Sequence, residues 1–293
     1  MNAIYLTLFT VVLYSTASII RKKISEIDDN LNYIYTVLFQ LAGGVSVIVF
    51  SLILGFGYEY QGYLSTLNPY LIIKIIVGAI LWFSATLTSF KALNTITASK
   101  YSIIETLSPL VSIILALLFL GESFSHQQLV GTLLILVSVF VVVYDREDKL
   151  THFSKGELIA LISAILSGLA LINDKGIYQI LSLSPTLAIL FILPGILGII
   201  TKPNELKKIK FVVKNKSIIK QLIIMSIIWG IAAISYYKAI VISNSISLVV
   251  SISQLSVVLT VLFGFIFLKE TKNWKIKVIA SIVSVAGLIF MNI

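Results

Sequence analysis

Glu105 stands seven positions into an apolar run, roughly 10 Å deep at 1.5 Å per residue if the run is a helix in a bilayer. A carboxylate at that depth is costly unless it is paired or protonated, so it marks a functional position by default. Two chemistries are open to it. It can bind a cationic or polar part of a substrate, or take up a proton that competes with that substrate. The third reading is a static ion pair that only fixes helix register. The expected partner is Lys91 at the end of the preceding run, with Lys100 on the same helix as the alternative.

Other polar residues recur at helical spacing. Ser102, Glu105, Pro109 and Ser112 follow one another at 3, 4 and 3, and Asn244, Ser247, Ser251 and Gln254 repeat those steps. Tyr33, Thr36, Gln40 and Gly43 share a face, as do Thr7, Tyr14, Ser18 and Arg21, and Ser163, Ser167 and Asp174. Serine and threonine often bond their own helix backbone or glue helices together. Matched faces on five runs nevertheless point to one shared lumen, to which Trp82, Trp229, Tyr236 and Tyr237 add aromatic walls. The candidate substrate-binding or coupling residues are therefore Glu105, Lys91, Tyr14, Ser18, Gln40, Ser102, Trp82, Ser167, Tyr237, Ser251 and Gln254. Lys238 and Asp174, at run ends on one side, form either a closing gate or an exposed pair of little consequence.

Composition sets the environment of these residues. The chain is 58% hydrophobic and 12% charged, with a mean hydropathy of +1.03, which is outside the range of soluble domains. With no cysteine, thiol catalysis and thiolate metal sites are excluded, and His126 and His152 both fall in connections. No cofactor or metal is implied. No paired carboxylates face one membrane surface either, which argues against an enzyme acting on lipid. The net charge of +9 is not a nucleic-acid signal. Apart from Lys74, Lys175 and Lys238, the 22 basic residues lie in or beside the connections after odd-numbered runs. By the positive-inside rule that side is cytoplasmic and both termini are outside. Arg21 and Arg146 are the only arginines, a lysine bias that suggests an AT-rich prokaryotic genome. Met1-Asn2-Ala3 offers no basic leader, so the first run reads as a retained helix.

Ten such runs are read as transmembrane helices, at about 2–20, 31–54, 70–93, 98–120, 127–144, 157–173, 185–200, 218–241, 244–268 and 274–291. Phe90-Lys91-Ala92-Leu93 through Phe119-Leu120-Gly121-Glu122 returns as Tyr237-Lys238-Ala239-Ile240 through Phe267-Leu268-Lys269-Glu270. The fold expected is an all-α membrane protein of ten transmembrane helices, arranged as two inverted five-helix repeats, 1–145 and 157–293. Glu105 aligns with Ser253, so the acid belongs to one half only. Ala42-Gly43 aligns with Pro194-Gly195, and Gly43, Pro109 and Pro194 are candidate helix breaks. Matched breaks indicate a central binding site. The other reading is close helix packing at the glycines and a simple kink at the proline.

These motifs, with Pro109, Gly121-Glu122 and Gly131 in the first half and Gln254 to Thr260, Leu268-Lys269-Glu270 and Gly287 in the second, resemble the EamA-like branch of the drug/metabolite transporter superfamily. Val257 stands where the second half would match Pro109, and Lys269 where it would match Gly121, so that half is the more diverged. The resemblance implies a carrier of small metabolites, a monomer or weak homodimer, that rocks between outward- and inward-open states. Many members export amino acids or related solutes. The function expected is a secondary active transporter of a small polar, amino-acid-like metabolite, multi-pass in the cell membrane, with protons coupled through Glu105. The alternative is a non-transporting membrane subunit or lipid-carrier flippase partner.

Overall fold

The computed structural model describes residues 3–120, 126–143, 154–243, 249 and 252–292, and helices are the only regular elements among them. The first half holds α1 (Ala3–Ser25), α2 (Asn32–Ile53), α3 (Pro69–Thr95), α4 (Ala98–Glu105), α5 (Leu107–Leu120) and α6 (His126–Val143). The second holds α7 (Lys155–Tyr178), α8 (Leu183–Thr201), α9 (Ile209–Lys214), α10 (Lys216–Ile242), α11 (Leu255–Leu268) and α12 (Trp274–Asn292). Six of these helices, α1, α2, α3, α7, α8 and α10, are long and apolar enough to cross a membrane. Leu129–Val142 and Leu255–Leu268 are shorter apolar helices.

Local chemistry sets these limits. Asn68 caps α3 by accepting from the Leu71 amide at 2.9 Å, and Pro69 follows at the first helical position, where a missing N–H is harmless. Ser154 and Glu157 form a reciprocal capping box at the start of α7. The run read as one span at 98–120 is cut into α4 and α5 at Thr106. Pro109 lacks an amide hydrogen and its ring crowds the carbonyl four residues back, which is that of Glu105. The break therefore falls directly after the acid.

α3 packs along α7, α1 along α10, α6 along α12 and α2 along α8. The remaining apolar faces, such as Tyr5, Leu8 and Val12 on α1 or Val45, Val49 and Leu52 on α2, are exposed and suited to lipid. Gly43 and Pro194 do not break their helices, since α2 and α8 both run on through them. A methyl group on Gly43 would lie 2.8 Å from the Phe191 ring, and one on Gly44 2.3 Å from the Ile192 side chain. These glycines let α2 and α8 approach closely, which is the packing reading of the matched positions.

A candidate substrate site between Arg21 and Glu105

Helix α1 turns Arg21 into the bundle rather than toward its end. The guanidinium carbon lies 5.2 Å from the ring centre of Phe39 on α2, 5.5 Å from Trp229 on α10 and 5.7 Å from Phe90 on α3. Nη1 donates to Ser89 Oγ at 3.0 Å, and Nε has no hydrogen-bond partner among the described residues. Aromatic faces at this range hold a cation without neutralising it. Tyr14, two turns back on α1, packs edge-on against Trp229 at 4.4 Å, and Trp229 Nε1 is also unpartnered.

Glu105 faces this nest from the broken end of α4. Its carboxyl meets the hydroxyls of Ser167 and Ser163 on α7 and of Tyr101 one turn earlier, within the field of Arg21. Tyr101 Oη and Ser163 Oγ are 3.0 Å apart, and Ser163 also donates to the Ala85 carbonyl at 3.1 Å. Among the described residues Glu105 Oε2 has no hydrogen-bond partner, and no direct ion pair joins the acid to a base. Arg21 and Glu105 both keep part of their surface open although helices surround them.

The expected partnership with Lys91 does not form. Lys91 is exposed between two fully buried neighbours, Phe90 and Ala92, because the inward face of α3 belongs to Phe90. Lys100 pairs instead with Glu157 at the start of α7. Of the other expected residues, Gln40 donates to Thr86 Oγ1 at 2.8 Å and leaves its Oε1 unpartnered. Ser18 and Ser102 bond their own helices, to the carbonyls of Tyr14 and Ser99. Gln254 precedes α11 and is half-buried without a side-chain capping bond. Ser251 lies outside the described residues.

A second polar group occupies the end of the bundle that is poor in lysine. Trp82 Nε1 donates to Asp174 Oδ2 at 2.7 Å, and among the described residues Asp174 Oδ1 has no hydrogen-bond partner. Lys238 does not join Asp174. Its ammonium rests over the Phe56 ring at 5.9 Å, beside α1 and α2, while Asp174 turns toward α3. Next to Lys238 in sequence, Tyr237 donates to Glu59 Oε1 at 2.8 Å, and Glu59 Oε2 accepts from the Ser184 amide at 2.8 Å. Glu59 thus ties the connection between α2 and α3 to α8 and α10. In that connection burial raises the Tyr63 phenol above its ordinary range, so it stays a neutral partner for Thr186 at 2.8 Å.

The opposite, lysine-rich end is closed by a different set of contacts. Lys22 donates to the Leu93 carbonyl at 2.6 Å and Asn94 to the Ser25 carbonyl at 2.6 Å. Glu270 accepts from the Ala98 amide at 2.7 Å, the Ser99 amide at 3.1 Å and the Ser99 hydroxyl. A carboxylate at a helix N-terminus is favoured by free amides and dipole alike. Among the described residues no three His, Cys, Asp or Glu side chains gather where a metal could bind.

Sequence reasoning placed Arg21 on the right helix face and missed its role, together with Phe39, Phe90, Ser89 and Tyr101. One signal was available: an arginine inside an apolar run of a chain that otherwise uses lysine. Arginine holds bidentate and stacked contacts that lysine does not.

No curated protein matches the chain in sequence. One solved crystal structure is similar over 97% of this chain and 95% of its own, with a TM-score of 0.65 and 16% identity, a likeness of fold. The model of the EamA-like transporter family matches residues 1–144. This half, which carries Arg21, Gln40 and Glu105, belongs to the EamA-like transporter family of the drug/metabolite transporter superfamily.

Proposed function

We propose that the protein is a secondary active transporter that carries a small zwitterionic, amino-acid-like metabolite across the cell membrane by alternating access, with Glu105 as the coupling acid. The observation that carries this reading is the juxtaposition of unpartnered groups of opposite character. Among the described residues, Arg21 Nε and Trp229 Nε1 are donors without an acceptor, and Glu105 Oε2 is an acceptor without a donor. A buried polar atom without a partner costs about 1–3 kcal/mol, so a ligand that supplies a carboxylate to the first two and an ammonium to the third relieves all of them. Solutes with only one charged group leave part of the site unsatisfied.

Alternating access requires closures on both sides, and two separate sets of contacts suit that role. Glu59, Tyr237 and Ser184 serve one end; Lys22, Asn94 and Glu270 serve the other. Protonation of Glu105 would release the substrate ammonium, which couples the two fluxes. The inverted ten-helix repeat suits this cycle, because exchanging two related halves interconverts the two open states. Helix pairings support it: α1 with α10 corresponds to α7 with α3, and α1 with α11 to α7 with α5.

The test is movement of radiolabelled amino acids in proteoliposomes, with and without a pH gradient. We expect transport that depends on the gradient, is lost in Glu105→Gln and is weakened in Arg21→Lys. Gradient-dependent transport by a properly inserted Glu105→Gln protein would overturn the coupling role. Silence across a broad metabolite panel would favour a non-transporting subunit.

A further inference from the structure

A groove of about 420 Å³ opens between α1, α2 and α10 at the lysine-poor end, apart from Arg21 and Glu105. Ser235, Lys238 and Ile242 of α10 line it at helical steps of 3 and 4, with Leu6 and Phe9 of α1 on one side and Leu54, just past α2, on the other. Its depth and its rim differ in kind. Leu6 and Ser235 are each 4% exposed, whereas Phe9 is 47% and Ile242 44% exposed. The rim residues continue the apolar surface that suits lipid, so the groove opens sideways into the hydrocarbon layer rather than toward the substrate site.

Ser235 and Lys238 are its polar lining residues. The Lys238 ammonium lies over the Phe56 ring at 5.9 Å, and among the described residues no carboxylate pairs with it. Lysine is well suited to this place, since its aliphatic stem packs along apolar surface while its charge reaches the headgroup level. A slot of this size lies within the range of small-molecule sites. We propose that the groove is a binding site for an anionic phospholipid, with one acyl chain between α1, α2 and α10 and the phosphate at Lys238. Charge complementarity selects this occupant. A soluble anion leaves the apolar length unfilled, and a zwitterionic lipid brings its own cation to a site that already has one.

Native mass spectrometry of the purified protein, titrated with phosphatidylglycerol or phosphatidylcholine of identical chains, tests the assignment. We expect one phosphatidylglycerol to be retained in preference to phosphatidylcholine by about fivefold, the scale that one lysine near an anionic headgroup supplies. Lys238→Gln should abolish the preference and Lys238→Arg should keep it, so the pair separates lost charge from lost fold. Leu54→Trp, which fills the slot, should reduce retention of both lipids. Equal retention of the two lipids by the native protein, or an unchanged preference in Lys238→Gln, overturns the proposal. So does a dimer that Leu54→Trp dissociates, because the groove would then be filled by a second copy.

Discussion

Glu270 and Glu105 stand at opposite ends of the eight-residue helix α4, and the fold treats them in opposite ways. Glu270 reaches the N-terminus, where two amides and the Ser99 hydroxyl satisfy its oxygens. Glu105 closes the C-terminus, where hydroxyls approach the carboxyl and Oε2 is left without a partner. Both are acids held among apolar helices, Glu270 buried and Glu105 half-buried. The difference teaches that burial alone does not single out a candidate coupling carboxylate; unfinished hydrogen bonding, which Asp174 shares, is what makes Glu105 a candidate. Glu270 fixes the position of α4, and Glu105 is what α4 presents.

The comparison breaks most readily at these two residues. Glu105→Gln should lower gradient-driven transport by more than about tenfold, a loss of about 1.4 kcal/mol or more in transition-state terms, with thermal stability in detergent nearly unchanged. Glu270→Ala should show the reverse bias, losing about 2–4 kcal/mol of stability as an earlier melting transition, because two amides and a hydroxyl lose a charged acceptor together. If Glu105→Gln melts early and Glu270→Ala does not, the assignment of roles is inverted. Arg21→Lys comes next. An ammonium cannot bond bidentately or stack on Phe39, Phe90 and Trp229 as guanidinium does, so the substrate KM should rise about tenfold with the maximal rate less affected.

Pro109→Ala sharpens the comparison at the helix break itself. Removing the proline lets α4 and α5 join, which should raise stability by roughly 1–3 kcal/mol and slow transport severalfold, measured by melting and proteoliposome uptake. Lys91→Gln should have the smallest effect, within about 0.5 kcal/mol in melting and twofold in transport, since the side chain is exposed. A large transport loss in Lys91→Gln with Arg21→Lys silent would restore lysine as the partner of Glu105.

The legibility of the site follows from what each residue's type alone constrains. Glu105 was legible because a carboxylate in an apolar run is costly wherever the helix points. Pro109 was legible because its missing amide and bulky ring act on the residue four positions back. Gly43 and Pro194 were legible as special positions but not in their effect, because a glycine permits a break and a close contact equally. The pairing of Lys91 with Glu105 and of Lys238 with Asp174 rested on shared depth, and depth says nothing of rotation about the helix axis. Glu59 lies in a connection, where an acid usually faces water, so nothing in its sequence context distinguished it from surface charge; Glu270 stood out as the repeat counterpart of Glu122, but its capping of α4 was not legible.

From sequence alone came the membrane setting, the all-helical class and the presence of a carboxylate inside an apolar run at Glu105. These follow from hydropathy and covalent chemistry, which act locally. Only the tertiary structure decided that Arg21 answers Glu105, that Trp82 holds Asp174, that Glu270 caps α4 and that Lys238 lines a lateral groove. In a bilayer both the packed and the lipid-facing sides of a helix are apolar, so periodicity leaves its rotation undetermined. Partners are then chosen by how the helices turn against one another.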